Sequence, residues 1–252
     1  MTSNRRMLVV CALVLALFPL ALGAQTPARQ PMSEREFLDL LHDNPKQSYL
    51  GVQFVTQQQA GADSPRYRLE VLAVQPGGPA DKAGIRRDDA LVTLDGQPLI
   101  ISDPLEVDIF FDPLAPGQAV KLGIIRGATN LDVMVTPAAL TPELARAKQR
   151  SRRQMMKAGG IQTAEMLGRG EGTRLEIQRD AETGRLSVKP LEVAQQLSPI
   201  RLAALTVAFE ESPVFQRAPE MKPGNKGVFQ LRYDSETTTF NLDPIQLNKT
   251  AP

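Results

Sequence analysis

Two stretches decide the fold: Tyr49-Leu50-Gly51-Val52, and Pro76-Gly77-Gly78-Pro79-Ala80-Asp81-Lys82-Ala83-Gly84-Ile85. The second follows an apolar strand predicted over Leu69 to Val74, breaks on Gly-Gly-Pro, and carries a short helix from about Ala80 to Ala83 that Gly84 stops. The first leads into Gln53-Phe54-Val55, a β-branched and aromatic run that reads as a strand. A glycine at the mouth of a strand lets the backbone turn sharply and turns successive amide N–H groups toward an anion. Downstream, Ala90 to Leu94 is a strand closed by an Asp95-Gly96 turn.

The pattern continues in the same register. Asp103 is placed as a helix N-cap, with Pro104 at the first helical position and Glu106 at the third, and Asp112-Pro113 ends that helix after Phe111. Val107 and Phe111 lie one turn apart and share a face. Pro116-Gly117 is a turn, and Val120 to Ile125 and Leu131 to Val135 are alternating strands around Gly127-Ala128-Thr129-Asn130. The order is strand, strand, short helix, strand, helix, strand, strand. It predicts a mainly β domain with two helices, of the α+β class.

These residues resemble the PDZ domain, of the bacterial kind found behind HtrA-type serine proteases. That pattern has an aromatic-apolar-Gly-apolar loop, then Ser/Gly-Pro-Ala-x-x-Ala-Gly-apolar, then a strand ending in Asn/Asp-Gly. All three occur here in order, over roughly a third of the chain. One departure stands out: the family has Pro-Gly-Asp before the strand, where this chain has Arg87-Asp88-Asp89. The resemblance implies a partly open β-barrel and a ligand that is the free C-terminus or an extended segment of another protein, added as a strand. It also implies that the amides of Leu50, Gly51 and Val52 meet the carboxylate, with Tyr49 in the same loop and Lys46 just before it within reach. Leu50, Val52, Phe54, Val107 and Phe111 would line the groove for the last side chain, with helical core packing as the alternative for Val107 and Phe111.

Residues 1–24 have basic Arg5 and Arg6, an apolar run from Met7 to Leu22 and a small-residue end at Gly23-Ala24, the layout of a secretory signal peptide. The run is shorter than the ~20 apolar residues of a membrane-spanning helix, which favours removal after Ala24; retention as a membrane anchor is the alternative. The single cysteine, Cys11, lies inside this segment, so the chain beyond it has no disulfide or thiolate chemistry. The expected location is periplasmic or extracellular. With 42% hydrophobic residues and a net charge of +1, the composition is that of an ordinary globular protein and argues against nucleic acid as a partner.

Residues 25–45 form a polar, Pro-containing lead and a short helix, with Ser33 and Glu36 as a capping box and an apolar face expected to pack on the following domain. His42, the only histidine, falls in this lead, far from any protease-sized scaffold. A Ser-His-Asp triad needs an imidazole held between hydroxyl and carboxylate, so the reading is of no catalytic residues and no enzyme. No cofactor or metal is expected, since no Cys/His cluster, acidic calcium loop or phosphate-binding glycine loop occurs.

Residues 46–140 are assigned to the PDZ domain and 141–171 to a basic helical linker. Thr141-Pro142-Glu143 starts that helix; Arg146, Lys148, Arg150, Arg152, Arg153 and Lys157 follow, and Gly159-Gly160 is read as its end. Its few apolar residues predict a solvated connector, with a contact to a membrane surface or an acidic partner as the sharper alternative. Residues 172–247 read as a small α+β domain of two hairpins and a helix: Leu175 and Ile177 against Leu186 and Val188, a helix from Ile200 to Glu210, and Phe229 to Tyr233 against Phe240 and Leu242. Residues 248–252 are a tail.

The function expected is an exported, non-catalytic adaptor that binds C-terminal or extended peptide segments of bacterial envelope proteins. The competing expectation is a regulator or scaffold that docks on an envelope protease or membrane complex without binding free peptides.

Overall fold

The computed structural model describes residues 33, 35, 36, 38, 39, 48–59, 66–192, 197–211 and 222–248. The apolar run before Ala24, Lys46 and His42 lie outside these residues. No helix among the described residues is long and apolar enough to cross a membrane.

The first half is an antiparallel sheet with strand order β2 (Val52–Gln58), β3 (Tyr67–Val74), β4 (Ala90–Leu94), β6 (Val120–Arg126), β7 (Thr129–Val135), and with β5 (Gln97–Pro98) paired to β4. A separate two-residue pair joins β1 (Ser48–Tyr49) to β8 (Ala138–Ala139). The sheet closes over Leu69, Val71, Ala80, Ile85, Leu91, Ile101, Leu122, Ile124 and Val135, all buried. Two short helices cover it, Pro79–Lys82 and Val107–Phe111, the second entered through a 3-10 turn at Pro104–Glu106.

The expected Asp103 N-cap is formed at that entry, and Glu106 completes it as a capping box. The Asp103 carboxylate accepts the Leu105 N–H at 3.0 Å, and Glu106 Oε2 accepts the N–H groups of Ser102 and Asp103 at 2.9 and 3.3 Å. The Arg87-Asp88-Asp89 departure resolves in backbone terms. Asp88 takes φ +67°, the left-handed conformation that a glycine in the family pattern adopts freely and that Asp tolerates better than most residues. Asp89 keeps the turn's anchoring role: its carboxylate accepts the Arg86 N–H and a two-pronged contact from Arg126, at 2.7 and 2.8 Å.

The helix that begins at Thr141 corrects the sequence reading in two respects. The Thr141 side chain caps it, but it runs from Pro142 to Gly168, through Gly159-Gly160, and it is not a solvated connector. Arg152, Met156, Gly159, Gly160, Thr163, Ala164, Leu167 and Gly168 are buried. The two glycines serve close approach. A Cβ on Gly160 would lie 1.9 Å from the Ala204 carbonyl oxygen, and one on Gly159 would lie 2.7 Å from Leu105 Cδ1. The helix thus packs on the last helix, Pro199–Glu211, and touches the 3-10 turn of the first half.

Both expected hairpins form, and they join into one four-stranded antiparallel sheet, in the order β10 (Leu186–Pro190), β9 (Thr173–Arg179), β11 (Lys226–Asp234), β12 (Thr239–Asn248). Leu175, Ile177, Val188, Phe229 and Leu231 form its buried face and meet Ala164, Leu205, Ala208 and Phe209 of the two helices. The capping box at Ser33 is present, with the Ser33 N–H donating to Glu36 at 2.7 Å. Of the apolar residues of its helical turn, Leu38 lies among the described residues, and it meets the helices rather than the neighbouring sheet. Leu38 joins Met156, Ile200, Ala203 and Val207 of the helix pair, and Arg185 of β10 donates to Asp39 at 2.9 Å. Among the described residues, Leu38 therefore joins the apolar face of the helix pair.

Candidate functional site

Gly51 sits at φ +76°, so the loop from Tyr49 to Val52 turns sharply before β2 begins. The loop's carbonyls are tied back into the body of the domain. Leu50 O accepts the Ala80 N–H at 2.8 Å and Gly51 O accepts the Gln75 N–H at 2.7 Å. This is the local use of the Gly78-Pro79-Ala80 run. Gly78 passes so near the loop that a Cβ on Gly51 would stand 3.5 Å from its Cα.

Two consequences follow for the amides. Among the described residues, the Gly51 N–H donates to no backbone acceptor. Val52 lies opposite Val74, and because Gly51 O already bonds the Gln75 N–H, alternation along the strand turns the peptide groups of Val52 away from β3. Among the described residues β2 is the last strand of its sheet, so that side is an edge with no strand paired to it there. A shift of register between Gln53 and Phe54 bends the edge there.

Beside the edge lies a cleft of about 780 Å³. Tyr49, Leu50, Gly51, Val52, Phe54 and Phe111, all singled out in the sequence, line it. The Phe54 and Phe111 rings are stacked, 5.1 Å between centroids and 16° between planes, so they join β2 to the helix rather than leave a slot between them. Leu50 and Phe111 are themselves buried and serve the core as well as the cleft. Val107 packs against that core and is not among the lining residues. Lys46 falls outside the described residues.

Four further lining residues come from the long helix: Leu144, Ala147, Lys148 and Ser151. The sequence reading did not include them in the site. Their signal was present as the 144, 147, 151 spacing of small and apolar residues, one helical face within an otherwise basic run. The β1 to β8 pair explains their arrival, since it sets the chain entering this helix directly beside the Tyr49 loop.

Charges fix the helix Val107–Phe111 at both ends. At its start, the Arg201 guanidinium grips the Asp103 carboxylate, one of the contacts being 3.1 Å. At its end, Asp112 is buried against the Arg152 guanidinium, with the Lys148 ammonium 3.4 Å from the same carboxylate oxygen. Burial pushes the Glu106 carboxyl above its ordinary range, even though it accepts the Ser102 and Asp103 N–H groups. Among the described residues, no group of His, Cys, Asp and Glu is arranged to hold a metal.

The family model described as the PDZ domain matches residues 48–136. HhoA of Synechocystis sp., named as a serine protease, is 40% identical over 70 residues, 28% of this chain and 17% of HhoA. Among solved structures, the HtrA-type protease AlgW with a decapeptide is similar at 20% identity and a TM-score of 0.32, over 38% of this chain and 30% of that one. The HtrA3 PDZ domain bound to a phage-derived ligand, FGRWV, is similar at 22% identity and a TM-score of 0.30, over 37% of this chain and 88% of that one. The likenesses cover only part of this chain, and the family match stops at the PDZ module. Residues 48–136 are a PDZ domain, similar to the PDZ modules of HtrA-type proteases.

Proposed function

We propose that this chain is an exported, non-catalytic protein that binds C-terminal or extended peptide segments of envelope proteins by adding them as a strand to β2. The observation that carries this reading is the pairing of an open strand edge with a glycine-turned loop in one cleft. The Val52 peptide groups face the unpaired side, the Gly51 N–H has no backbone acceptor among the described residues, and Phe54 and Phe111 supply an apolar surface beside them. An extended peptide satisfies its own backbone on such an edge, and a terminal carboxylate suits amides presented at a tight turn. Affinity is expected to be weak, because ordering the peptide offsets much of what a few main-chain hydrogen bonds contribute.

The test is a screen of peptides ending in Val, Leu, Ile, Ala or Phe against the full chain. Binding of free-acid peptides, weakened when the same C-terminus is amidated, is the expected result. If none binds at millimolar concentration, peptide reception is wrong. If the amidated forms bind equally well, the loop is not the anchor.

A further inference from the structure

The PDZ cleft has a wall that the PDZ segment does not supply. Leu144, Ala147 and Ser151 stand on one face of the long helix and line the same cleft as Gly51, Val52 and Phe54. Three anchors hold that face in place. The β1 to β8 pair fixes the chain entering the helix, Arg152 is buried on Asp112 at the end of Val107–Phe111, and Gly159 lies against Leu105. The wall is part of the fold.

Within it, Lys148 has the chemistry of an anion partner. Its ammonium is 3.4 Å from Asp112 Oδ1, the oxygen that also receives the closer Arg152 guanidinium. Lys148 is therefore the looser of the two cations, and its side chain is 28% exposed where that of Arg152 is 8%. A flexible ammonium on the cleft wall can turn from a shared carboxylate to an incoming one without unpairing Asp112.

We propose that the helix Pro142–Gly168 completes the peptide site, with Lys148 pairing the ligand's terminal carboxylate and Leu144 and Ala147 contacting its last, apolar side chain. This rests on the peptide-binding reading above. In this assignment Lys148 supplies the charge, the Gly51 and Val52 amides supply direction, and specificity at the last residue belongs partly to a helix outside the PDZ segment.

The experiment titrates fluorescent pentapeptides ending in Val or in Ala, each as free acid and as amide, into the full chain and into Lys148→Gln, Ala147→Trp and Leu144→Ser. Circular dichroism and thermal unfolding accompany each, and Leu144, half exposed, gives a variant that tests the wall with little risk to folding. Lys148→Gln should weaken the free acid by about fivefold to tenfold and leave the amide unchanged, since one charge-assisted contact is removed. Ala147→Trp should abolish binding of both forms, and Leu144→Ser should weaken Val-ended peptides more than Ala-ended ones. If the wild-type chain prefers the free acid but Lys148→Gln and Leu144→Ser bind it unchanged, the helix wall is no part of the site, while peptide reception stands. If the wild-type chain binds neither form, both fall together.

Discussion

Arg152 of the long helix and Asp112, at the end of the helix that borders the cleft, form a buried ion pair, with 8% and 3% of their side chains exposed. The pair ties the PDZ domain to a helix whose far half belongs to the core of the C-terminal sheet. Removing one member strands the other in a place water does not reach. Arg152→Ala is expected to destabilise the protein by about 3 kcal/mol, at the lower end for a broken buried pair because Lys148 still faces Asp112. Urea unfolding of the full chain measures it; a loss under about 1 kcal/mol would mean the pair is solvated in solution.

Gly159 and Gly160 should respond differently to alanine. Helix propensity alone favours either change by roughly 1 kcal/mol. At Gly160 the new methyl meets the Ala204 carbonyl oxygen at 1.9 Å and Ala208 Cβ at 2.7 Å, rigid neighbours that can yield only if the helices part. Gly160→Ala should cost about 2 kcal/mol or more, as overpacking does. At Gly159 the neighbour is the mobile end of Leu105, and Gly159→Ala should come out near neutral. Comparing the two melting temperatures checks the assignment of these glycines to close packing rather than to a helix end.

Asp89 gives the fold an acid-sensitive contact. Burial by itself would raise its carboxyl, but the Arg126 side chain, the Arg86 N–H and the charges of both arginines together hold it below the ordinary aspartate range. Its folded value is lower than its unfolded one, so the stabilisation is full above about pH 4 and is lost as pH falls through the folded value. Asp89→Asn should lower stability at neutral pH by about 2 kcal/mol, and its deficit against the wild type should shrink as pH drops below about 4. A deficit that stays constant down to acid unfolding would show that the carboxylate's charge contributes nothing.

Phe54 and Val107 were grouped by sequence, and their surroundings separate them. Both pack against the domain core, but Phe54 also lines the cleft and stacks on Phe111, whereas Val107 is not among the lining residues. Phe54→Ala should weaken peptide binding by about tenfold with a modest loss of stability, since an aromatic contact beyond its area is worth roughly 1 kcal/mol. Val107→Ala should do the reverse, lowering the melting temperature with affinity nearly unchanged. Paired titration and unfolding curves decide; equal effects on affinity would return Val107 to the site.

Much of the PDZ domain was legible because its determinants are local. The glycine that turns the loop into β2, the Gly-Gly-Pro break, the Asp103 N-cap with Glu106 three residues on and the alternation of β7 each act over a few residues, and each leaves a mark at fixed spacing. The same holds for the hairpins of the C-terminal sheet, whose turns at Asp180 to Gly184 and Asp234 to Thr237 are held by aspartate side chains accepting nearby N–H groups. The membership of the loop, Phe54 and Phe111 in one cleft followed from that local pattern together with the family resemblance.

What the sequence left open was decided by contacts between distant segments. Gly159-Gly160 is written the same way whether glycine ends a helix or lets another backbone come close, and only Ala204, on another helix, makes it the second. Arg152 looks like one more solvated cation in a basic run until Asp112 is seen beneath it. Leu144, Ala147 and Lys148 become cleft residues because two-residue strands at either end of the PDZ segment pair and set the helix against the loop. Local sequence determines which backbone conformations are cheap, and so it determined the elements. Which face of the long helix is buried, and against what, depended on burying charge and apolar surface across the whole chain, and only the tertiary structure decided it.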